Sequence, residues 1–225
     1  IHCAPVWTLA QAMDSYAEGG ITRVIGYGST SLYGKAASGN KSERQLVEDL
    51  KKAEQQIAAR ADALGIGYTL LRPTLIYGSG LDGNVSRIAR SIRRFRLFPI
   101  FPPATGKRQP VHADDLAIAA LQCLASPASE QKSYNTGGGE ILIYRAMLTR
   151  IAQACGVKIW LIPLPILPSL LDARGRMRKK SGVNGAMARR MNDDLIFPYG
   201  EASRDFGYAP RAFLSGGLND ITGQP

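Results

Sequence analysis

The sequence predicts an α/β fold built around a parallel β-sheet, and two observations carry this prediction. Over the first 78 residues, short β-rich runs alternate with helical patterns in the order strand, helix, strand, helix, strand. Strands and helices that alternate in this way form parallel sheets with right-handed crossovers. The chain has 225 residues, of which 45% are hydrophobic and 20% charged, so it can bury the core of a globular domain.

The first part of the chain carries a separate signal for each element. Residues 1–6 look like the inside of a strand, and the helical spacing of Val6–Glu18 ends at a pair of glycines, which stop helices. Residues 21–27 form a β-rich run. Apolar residues at steps of three and four predict a long amphipathic helix over residues 41–64. Residues 68–71 complete the alternation as a strand that ends before a proline.

The later part of the chain is less regular. A basic helix is predicted over residues 84–95, a second helix over 116–125, and a strand end with a turn over 134–139. A further helix covers Tyr144–Ala154. The apolar, proline-rich segment 159–171 is interpreted as an extended part of the core. Docking on a membrane interface is the alternative, which its three prolines disfavour because they interrupt a continuous amphipathic helix.

Composition and charge exclude several classes of protein. The chain has no run of about 18 uncharged apolar residues, so no transmembrane helix is expected. Cys3, Cys123 and Cys155 are far apart and lie in apolar runs, so we interpret them as buried free thiols of a reducing compartment and expect a cytoplasmic protein. No metal site is predicted. The chain has no module that combines aromatic and basic residues, which disfavours nucleic-acid binding.

Four motifs follow one another along the chain, and a fifth closes it. They are residues 1–5 (Ile-His-Cys-Ala-Pro), 28–34 (Gly-Ser-Thr-Ser-Leu-Tyr-Gly), 71–78 (Leu-Arg-Pro-Thr-Leu-Ile-Tyr-Gly), 110–117 (Pro-Val-His-Ala-Asp-Asp-Leu-Ala) and 206–211 (Phe-Gly-Tyr-Ala-Pro-Arg). In this order they resemble the extended short-chain dehydrogenase/reductase family. Members of this family are NAD-dependent epimerase/dehydratase proteins that act mostly on nucleotide sugars.

The resemblance implies a particular fold. It is the C-terminal part of a Rossmann-type doubly wound parallel sheet, with a small mixed α/β substrate lobe. The resemblance assigns residues 1–78 and 108–126 to the sheet domain, and residues 79–107 and 127–225 to the lobe. The sequence has no G-x-x-G-x-x-G loop to hold a dinucleotide pyrophosphate, and its first residue aligns with the fourth strand of the family's sheet. We therefore expect the sequence to be an N-terminally truncated fragment of a longer protein.

The resemblance also implies where the chemistry lies. The family uses a Ser or Thr with a Tyr-x-x-x-Lys pair, whose tyrosine transfers a proton while hydride moves to or from the nicotinamide. Ser29 matches the family's serine and is the catalytic candidate; the alternative is a strand-end serine bound to backbone. Aligning Ala53-Glu54 with the family's usual Ala-Glu places Leu46 and Leu50 where the Tyr and Lys belong. The usual pair is therefore missing.

Two residues near this position are considered as replacements. A shift of one residue brings Lys51 into the place of the family's lysine, but we interpret Lys51 and its neighbour Lys52 as solvated helix residues. Tyr33 is an alternative proton donor, although in the family that position is structural. The usual route of redox catalysis therefore lacks its Tyr-Lys pair, and the chain resembles an atypical member of the family.

Cofactor contacts are expected where small residues and a proline follow the predicted strands. The resemblance places Ala4 and Pro5 beside the cofactor, together with Ser29 and the turn Arg72-Pro73-Thr74, and the cofactor would be NAD or NADP. A simple strand terminator is the alternative for this turn, since proline fixes φ and lacks an N–H donor.

Basic residues are concentrated in two stretches. Residues 83–113 and 173–192 each contain seven Lys or Arg and no acidic residue, against a net charge of +10 for the whole chain. In the family, Arg108 and Asn84 fall where a substrate diphosphate is bound; the alternative is a solvated basic face. The surplus charge favours solubility, an anionic membrane surface or a protein partner.

Two functions follow from these observations. The first is an NAD(P)-dependent epimerase, dehydratase or reductase-like protein that acts on a nucleotide sugar or a related substrate. The second is a non-catalytic NAD(P)-binding relative with a structural or regulatory role in a complex or at a membrane, which the missing tyrosine favours. The oligomeric state stays open, although family members often form homodimers through the helices around residues 6–18 and 42–63.

Overall fold

The computed structural model describes residues 1–177 and 184–222, without the side chains of residues 175–177. The chain divides into two compact units. The first unit contains Ile1–Thr74, Asp114–Gly137 and Phe197–Pro210, and the second contains Leu75–Ala113, Gly138–Ile196 and Arg211–Pro225.

The helices and strands of both units are numbered along the chain. They are α1 (Val6–Glu18), β1 (Arg23–Tyr27), α2 (Ser31–Gly34), α3 (Lys41–Leu64), β2 (Gly67–Pro73), β3 (Ile76–Tyr77), α4 (Val85–Phe95), β4 (Leu97–Ile100), β5 (Lys107–Arg108), β6 (Val111–His112), α5 (Ala113–Ala125), β7 (Lys132–Thr136), β8 (Leu142–Ile143), α6 (Tyr144–Ala154), β9 (Trp160–Pro163), α7 (Leu167–Met177), α8 (Gly185–Arg189), α9 (Gly200–Phe206) and α10 (Asn219–Thr222).

The first unit is a parallel sheet with helices on both faces. Its strands lie in the order β1-β2-β7, and both pairings are parallel. Side chains alternate along a strand, so Val24 and Leu70 pack against α1 and α3, whereas Ile25 and Leu71 pack against α5 and α9. The predicted α/β class with a doubly wound parallel sheet is therefore confirmed.

Two segments of this unit differ from the sequence-based expectation. The expected first strand is reduced to a single parallel bridge between His2 and Gly26, because Pro5 has no N–H to donate and Val6 already begins α1. The segment Lys132–Thr136, which the sequence analysis placed in the small lobe, pairs with β2 as part of the sheet.

Helix α3 is well defined at both ends. The side chain of Asn40 accepts hydrogen bonds from the N–H groups of Ser42 and Glu43, at 2.9 and 3.3 Å, which caps the first turn. The helix ends at Gly65 in the left-handed conformation (φ 65°), which glycine adopts at little energetic cost. These two caps set where the helix begins and ends.

The second unit is built from short paired strands and helices. The pairs are β3-β6 and β4-β9, which are parallel, and β5-β8, which is antiparallel. Helices α4 and α6 supply much of the core, with Ile92 and Met147 fully buried. The partly buried Phe98, Leu161 and Leu171 pack against this core.

The interpretation of segment 159–171 as extended core is wrong for four of its nine apolar residues other than proline. Trp160 is 74% exposed, and Ile162, Ile166 and Leu170 are exposed as well. The physical reason in β9 is alternation, since every second side chain of a strand points away from the core. Ile166 and Leu170 lie one helical turn apart at the start of α7, and both are exposed.

The cysteines also differ from the expectation of three buried thiols. All three are free, but only Cys123 is buried, whereas Cys3 is exposed and Cys155 lies between these extremes. Burial raises the pKa of the Cys123 thiol to about 12, because the apolar surroundings disfavour the thiolate. No helix in residues 1–177 or 184–222 has the length and apolar character needed to cross a membrane.

Candidate functional site

The carboxyl ends of neighbouring parallel strands meet along one edge of the first unit's sheet. Residues Ala4-Pro5 follow the His2 bridge, Ser29 follows β1, and Arg72-Pro73-Thr74 closes β2. Two contacts hold the two turns together: the N–H of Gly28 donates to the carbonyl of Leu71 at 2.8 Å, and that of Thr30 donates to Pro73 at 3.1 Å. The structure therefore brings all the predicted cofactor residues to one sheet edge, where ligands of such folds bind.

Ser29 is half-buried at this edge. Its Oγ accepts a hydrogen bond from the N–H of Ser31 at 3.1 Å, which is the backbone contact that the sequence analysis kept as the alternative to a catalytic role. A hydroxyl group has a second lone pair and one donor hydrogen. Ser29 therefore combines a local turn contact with a remaining capacity to bind a ligand oxygen, and its catalytic role stays a prediction.

Helix α3 presents apolar side chains where the usual catalytic pair is expected. Leu50 is buried and Leu46 packs beside it in the core shared with α1. Lys51 and Lys52 are exposed, as predicted, and Lys51 forms a surface ion pair with Glu48 at 3.1 Å. The ammonium group that a one-residue shift in alignment would supply is therefore already engaged in a surface ion pair.

An ion pair lies one helical turn further along α3. The carboxylate of Glu54 accepts from Nε of Arg72 at 3.0 Å and from Nη2 at 2.6 Å, and the two side chains are only 10% and 18% exposed. Nη1 of Arg72 donates to the hydroxyl of Tyr33 at 2.8 Å. Burial lowers the pKa of Arg72, but Glu54 and Tyr33 outweigh this effect and raise it above its ordinary value.

Gly28 makes room for this ion pair. A Cβ atom at this position would lie 2.8 Å from Oε1 of Glu54 and 3.5 Å from Cγ of Arg72. Carbon and carboxylate oxygen do not approach so closely without a shift of one partner. The glycine after β1 therefore serves the packing of charged side chains inside the unit.

The third strand adds two polar atoms at the same edge. Asn135 and Thr136 are register partners of Arg72 and Pro73. Oδ1 of Asn135 and Oγ1 of Thr136 are buried, and neither has a hydrogen-bond partner among the described residues. An unsatisfied buried polar atom costs roughly 1–3 kcal/mol, so this edge has hydrogen-bonding capacity that the fold itself does not use.

The predicted substrate residues lie in the second unit. Arg108 is only 6% exposed and donates to the carbonyls of Lys107 and Asp193, both at 2.8 Å, and to that of Arg190. Its guanidinium lies 5.0 Å from the ring centroid of Tyr144. Burial lowers the pKa of Arg108. These contacts tie residues 190–193 to β5, so Arg108 has a structural task, and its contact with a substrate stays a prediction.

Asn84 is exposed at the start of α4 but does not cap it. Its side chain makes no cap hydrogen bond. Asp82 performs this task instead, since its Oδ1 accepts from the N–H groups of Asn84 and Ser86 at 2.9 and 3.0 Å. The Asn84 side chain is therefore not used by the helix end, and its role toward a substrate also stays a prediction.

The second basic stretch is described only in part. Arg178, Lys179 and Lys180 lie outside the described residues, as does the side chain of Arg176. Of the others, Arg189 pairs with Asp172 at 3.3 Å.

A parallel sheet with helices on both faces defines the first unit as a Rossmann-type domain, and polar groups lie along the carboxyl edge of its sheet. The family is defined by the sequence: the profile of the NAD-dependent epimerase/dehydratase family matches residues 1–137. The chain belongs to this family.

Individual relatives agree with this assignment. The chain is 24% identical over 165 residues to a UDP-glucose 4-epimerase from Vibrio cholerae, covering 69% of this chain and 49% of the relative. It is 28% identical over 186 residues to a 2-alkyl-3-oxoalkanoate reductase from Stenotrophomonas maltophilia, covering 75% and 54%. The chain thus spans about half the length of these curated relatives.

A solved structure supports the fold. The UDP-glucose 4-epimerase from Thermotoga maritima, crystallised with UDP-glucose, superposes with a TM-score of 0.69 at 18% identity, covering 93% of this chain and 65% of that one. The resemblance noted in the sequence is therefore confirmed for family and fold.

Sequence reasoning missed two residues of this edge and one contact of a third. Glu54 served only to align the helix, and Asn135 was not considered; Tyr33 was named as an alternative proton donor, but its contact with Arg72 was not expected. A signal for Glu54 was present, because Arg72 directly follows a predicted strand and a cation withdrawn from water needs polar or charged partners. No local pattern pointed to Asn135.

Proposed function

We propose that this chain binds NAD or NADP at the carboxyl edge of its sheet and takes part in an epimerase, dehydratase or reductase-type reaction on a nucleotide sugar or a related substrate. The observation that carries the proposal is the meeting of Ala4, Pro5, Ser29, Pro73 and Thr74 at one edge, in a chain of an NAD-dependent family. When bound, the nicotinamide ring supplies hydride exchange.

The residues present fit the nicotinamide half of such a cofactor. Ser29, Asn135 and Thr136 offer hydroxyl and amide groups that suit the uncharged carboxamide and ribose. The charge of Arg72 is already balanced by Glu54, which makes it a poor partner for a diphosphate. The 225 residues also contain no glycine-rich phosphate loop, so the proposal concerns the nicotinamide half.

Ser29 is proposed to hydrogen-bond the substrate oxygen that exchanges its proton. Tyr33 is the phenol at this edge, and its hydroxyl oxygen accepts from Arg72. We assign it the proton-transfer task that the family's tyrosine performs, because Leu46 and Leu50 supply no acid or base.

The test uses the whole protein and separates binding from turnover. NADH or NADPH fluorescence would be titrated with the protein, and hydride transfer would then be followed with UDP-glucose and UDP-glucuronic acid. We expect cofactor binding, and turnover that Ser29→Ala and Tyr33→Phe each lower about tenfold to a hundredfold. Tyr33→Phe should leave cofactor affinity unchanged, whereas Ser29→Ala should also weaken cofactor binding. Ser42→Ala, an exposed position at the start of α3, is the matched control.

A non-catalytic NAD(P)-binding role is the second candidate, and the apolar residues Leu46 and Leu50 favour it. Binding of cofactor without turnover of any nucleotide sugar would establish this second role. Absence of NADH and NADPH binding would overturn both.

A further inference from the structure

The charges of this protein are distributed unequally between its two units. The second unit carries 18 Lys and Arg residues against 6 Asp and Glu, a formal charge of +12, whereas the first carries 10 against 12, a charge of −2. The net charge of the chain therefore resides in the second unit. A surface of this kind attracts anionic partners over a distance of about one Debye length, ~8–10 Å.

An exposed apolar face lies within this cationic unit. Leu97 of β4 and Trp160 of β9 are register partners, so their side chains are neighbours on the same face of the pair. Both are exposed, by 46% and 74%. Ile162, two residues along β9, is exposed on the same face, and Phe95 is exposed just before β4. We call these four side chains, Phe95, Leu97, Trp160 and Ile162, the apolar face.

The other side of the strand pair explains why this face is not core. Phe98 and Leu161, the neighbours of Leu97 and Trp160 along the strands, pack against the core of the second unit. The strand pair is therefore already anchored from behind. The outward apolar side chains contribute nothing to that core, and a large exposed apolar patch on a soluble protein commonly marks a binding surface.

Cations accompany the apolar face. Arg93, Arg94 and Arg96 precede β4, and Lys158 precedes β9 by two residues; all four are exposed. The guanidinium of Arg94 lies 5.1 Å from the ring centroid of Phe95. Within residues 1–177 and 184–222, none of the four forms an ion pair, whereas the acidic Glu140 and Asp172 of this unit pair with Arg150 and Arg189.

We propose that the apolar face and its four cations dock on an anionic lipid surface. Trp and other apolar side chains favour the boundary between headgroups and acyl chains, and Arg and Lys interact with anionic headgroups. Aliphatic Leu97 and Ile162 gain nothing from the bases or phosphates of a nucleic acid. A second copy of the chain would bring two highly cationic surfaces together, which repel each other. The proposal is independent of the proposed function.

Vesicle binding of the full chain tests the proposal. The protein would be mixed at low salt with vesicles of phosphatidylcholine alone or with 30% phosphatidylserine, and sedimented. The chain has two tryptophans, so in a Trp7→Phe background the fluorescence of Trp160 alone reports insertion. We expect binding to the anionic vesicles only, a blue shift of Trp160, and weaker binding as salt rises.

Two sets of variants separate charge from apolar contact. Replacing Arg93, Arg94 and Lys158 by Gln should weaken vesicle binding about a hundredfold, at about fivefold per charge. The matched control replaces Lys41, Lys51 and Lys52 of α3, which are also exposed, by Gln and should leave binding unchanged. Trp160→Ser should weaken binding about tenfold, whereas Leu121→Ser, at an exposed position of α5, should not.

Several results would overturn the proposal. They are no binding to anionic vesicles at low salt, equal binding to uncharged vesicles, or an equal loss in the α3 control. Self-association of the chain that Trp160→Ser abolishes, without vesicle binding, would instead identify the apolar face as an interface between copies. Thermal unfolding of each variant checks that a loss of binding does not reflect a loss of folding.

Discussion

Arg72 in the first unit and Arg108 in the second are both withdrawn from water, but their charges are balanced in different ways. Arg72 faces the carboxylate of Glu54, which raises its pKa despite burial. Arg108 faces three backbone carbonyls and an aromatic ring, and burial lowers its pKa. A buried cation can therefore serve either as one half of a charge pair or as a hydrogen-bond donor that holds backbone segments together.

The largest loss of stability is expected when Arg108, which donates to three backbone carbonyls, is replaced. Arg108→Met leaves three carbonyls without their donor and removes the contact with Tyr144, so the free energy of unfolding should fall by about 3–4 kcal/mol. Urea denaturation measures this loss. Arg145→Met, on the exposed side of α6, is the control and should change stability by less than about 0.5 kcal/mol. An equal loss in both variants would show that these contacts of Arg108 are not the cause.

A smaller effect is expected when the charge pair is broken. Glu54→Gln leaves the half-buried Arg72 uncompensated and should reduce the free energy of unfolding by about 2–3 kcal/mol. Glu48→Gln, on the same helix but in an exposed pair with Lys51, should have an effect of less than about 0.5 kcal/mol.

A double variant tests whether Arg72 and Glu54 stabilise the protein as a pair. When Arg72→Met is added to Glu54→Gln, no charge is left unpaired, so the combined loss should be smaller than the sum of the single losses by about 1–3 kcal/mol. Strict additivity would mean that the two side chains do not act as a pair.

A smaller loss of stability is expected when the space beside the Glu54–Arg72 ion pair is filled. Gly28→Ala brings a methyl group against the Glu54 carboxylate and should destabilise the protein by about 1–2 kcal/mol. Gly39→Ala is the matched control, because nothing lies within 4 Å of its added Cβ. A destabilisation by Gly28→Ala that persists in the Glu54→Gln background, where the charge is gone but the volume remains, is expected as well.

The smallest expected effect is a change in local opening of each unit, which the alkylation rates of the cysteine thiols report. Cys123 lies in the first unit and Cys155 in the second, and burial raises the pKa of both. With a pKa of about 12, only about one Cys123 in 10,000 is a thiolate at pH 8, and alkylation should rise as the pH increases further. Mass spectrometry would follow the rate at each site.

Because Glu54 and Arg108 act in different units, replacing one or the other should change the alkylation rates of Cys123 and Cys155 differently. Glu54→Gln should speed alkylation of Cys123 a few-fold more than that of Cys155, and Arg108→Met should do the reverse, because local opening reflects local stability. Equal acceleration at both thiols in both variants would show that the two units open together.

Periodicity made most of the fold predictable. The steps of three and four in α3 and the β-rich runs of β1 and β2 follow from burial on one face of a helix and both faces of a parallel strand. Strand β7 could not be placed in the same way, because Tyr134 and Thr136 join the sheet through a pairing with β2 more than 60 residues away in sequence. Such non-local pairings leave no local pattern.

The candidate site was predictable in location but not in its internal contacts. Ser29 and Arg72-Pro73-Thr74 follow strands, and parallel topology alone brings strand ends to one edge. The engagement of Arg72 by Glu54 and of Arg108 by carbonyls depends on side-chain directions across elements. Segment 159–171 failed for a related reason: its apolar composition does not show which alternate residues face outward.

The first unit is assembled from three separate stretches of the chain, the last of which is Phe197–Pro210. Ala202 and Phe206 of α9, with Tyr208, complete the core on one face of the sheet. During synthesis, which proceeds at roughly 5–20 residues per second, Ile25 and Leu71 lack this cover until residues 197–210 have left the ribosome. A nascent chain halted before residue 197 should therefore bind chaperones more strongly than a chain that includes residues 197–210. It should also be cleaved faster by proteases.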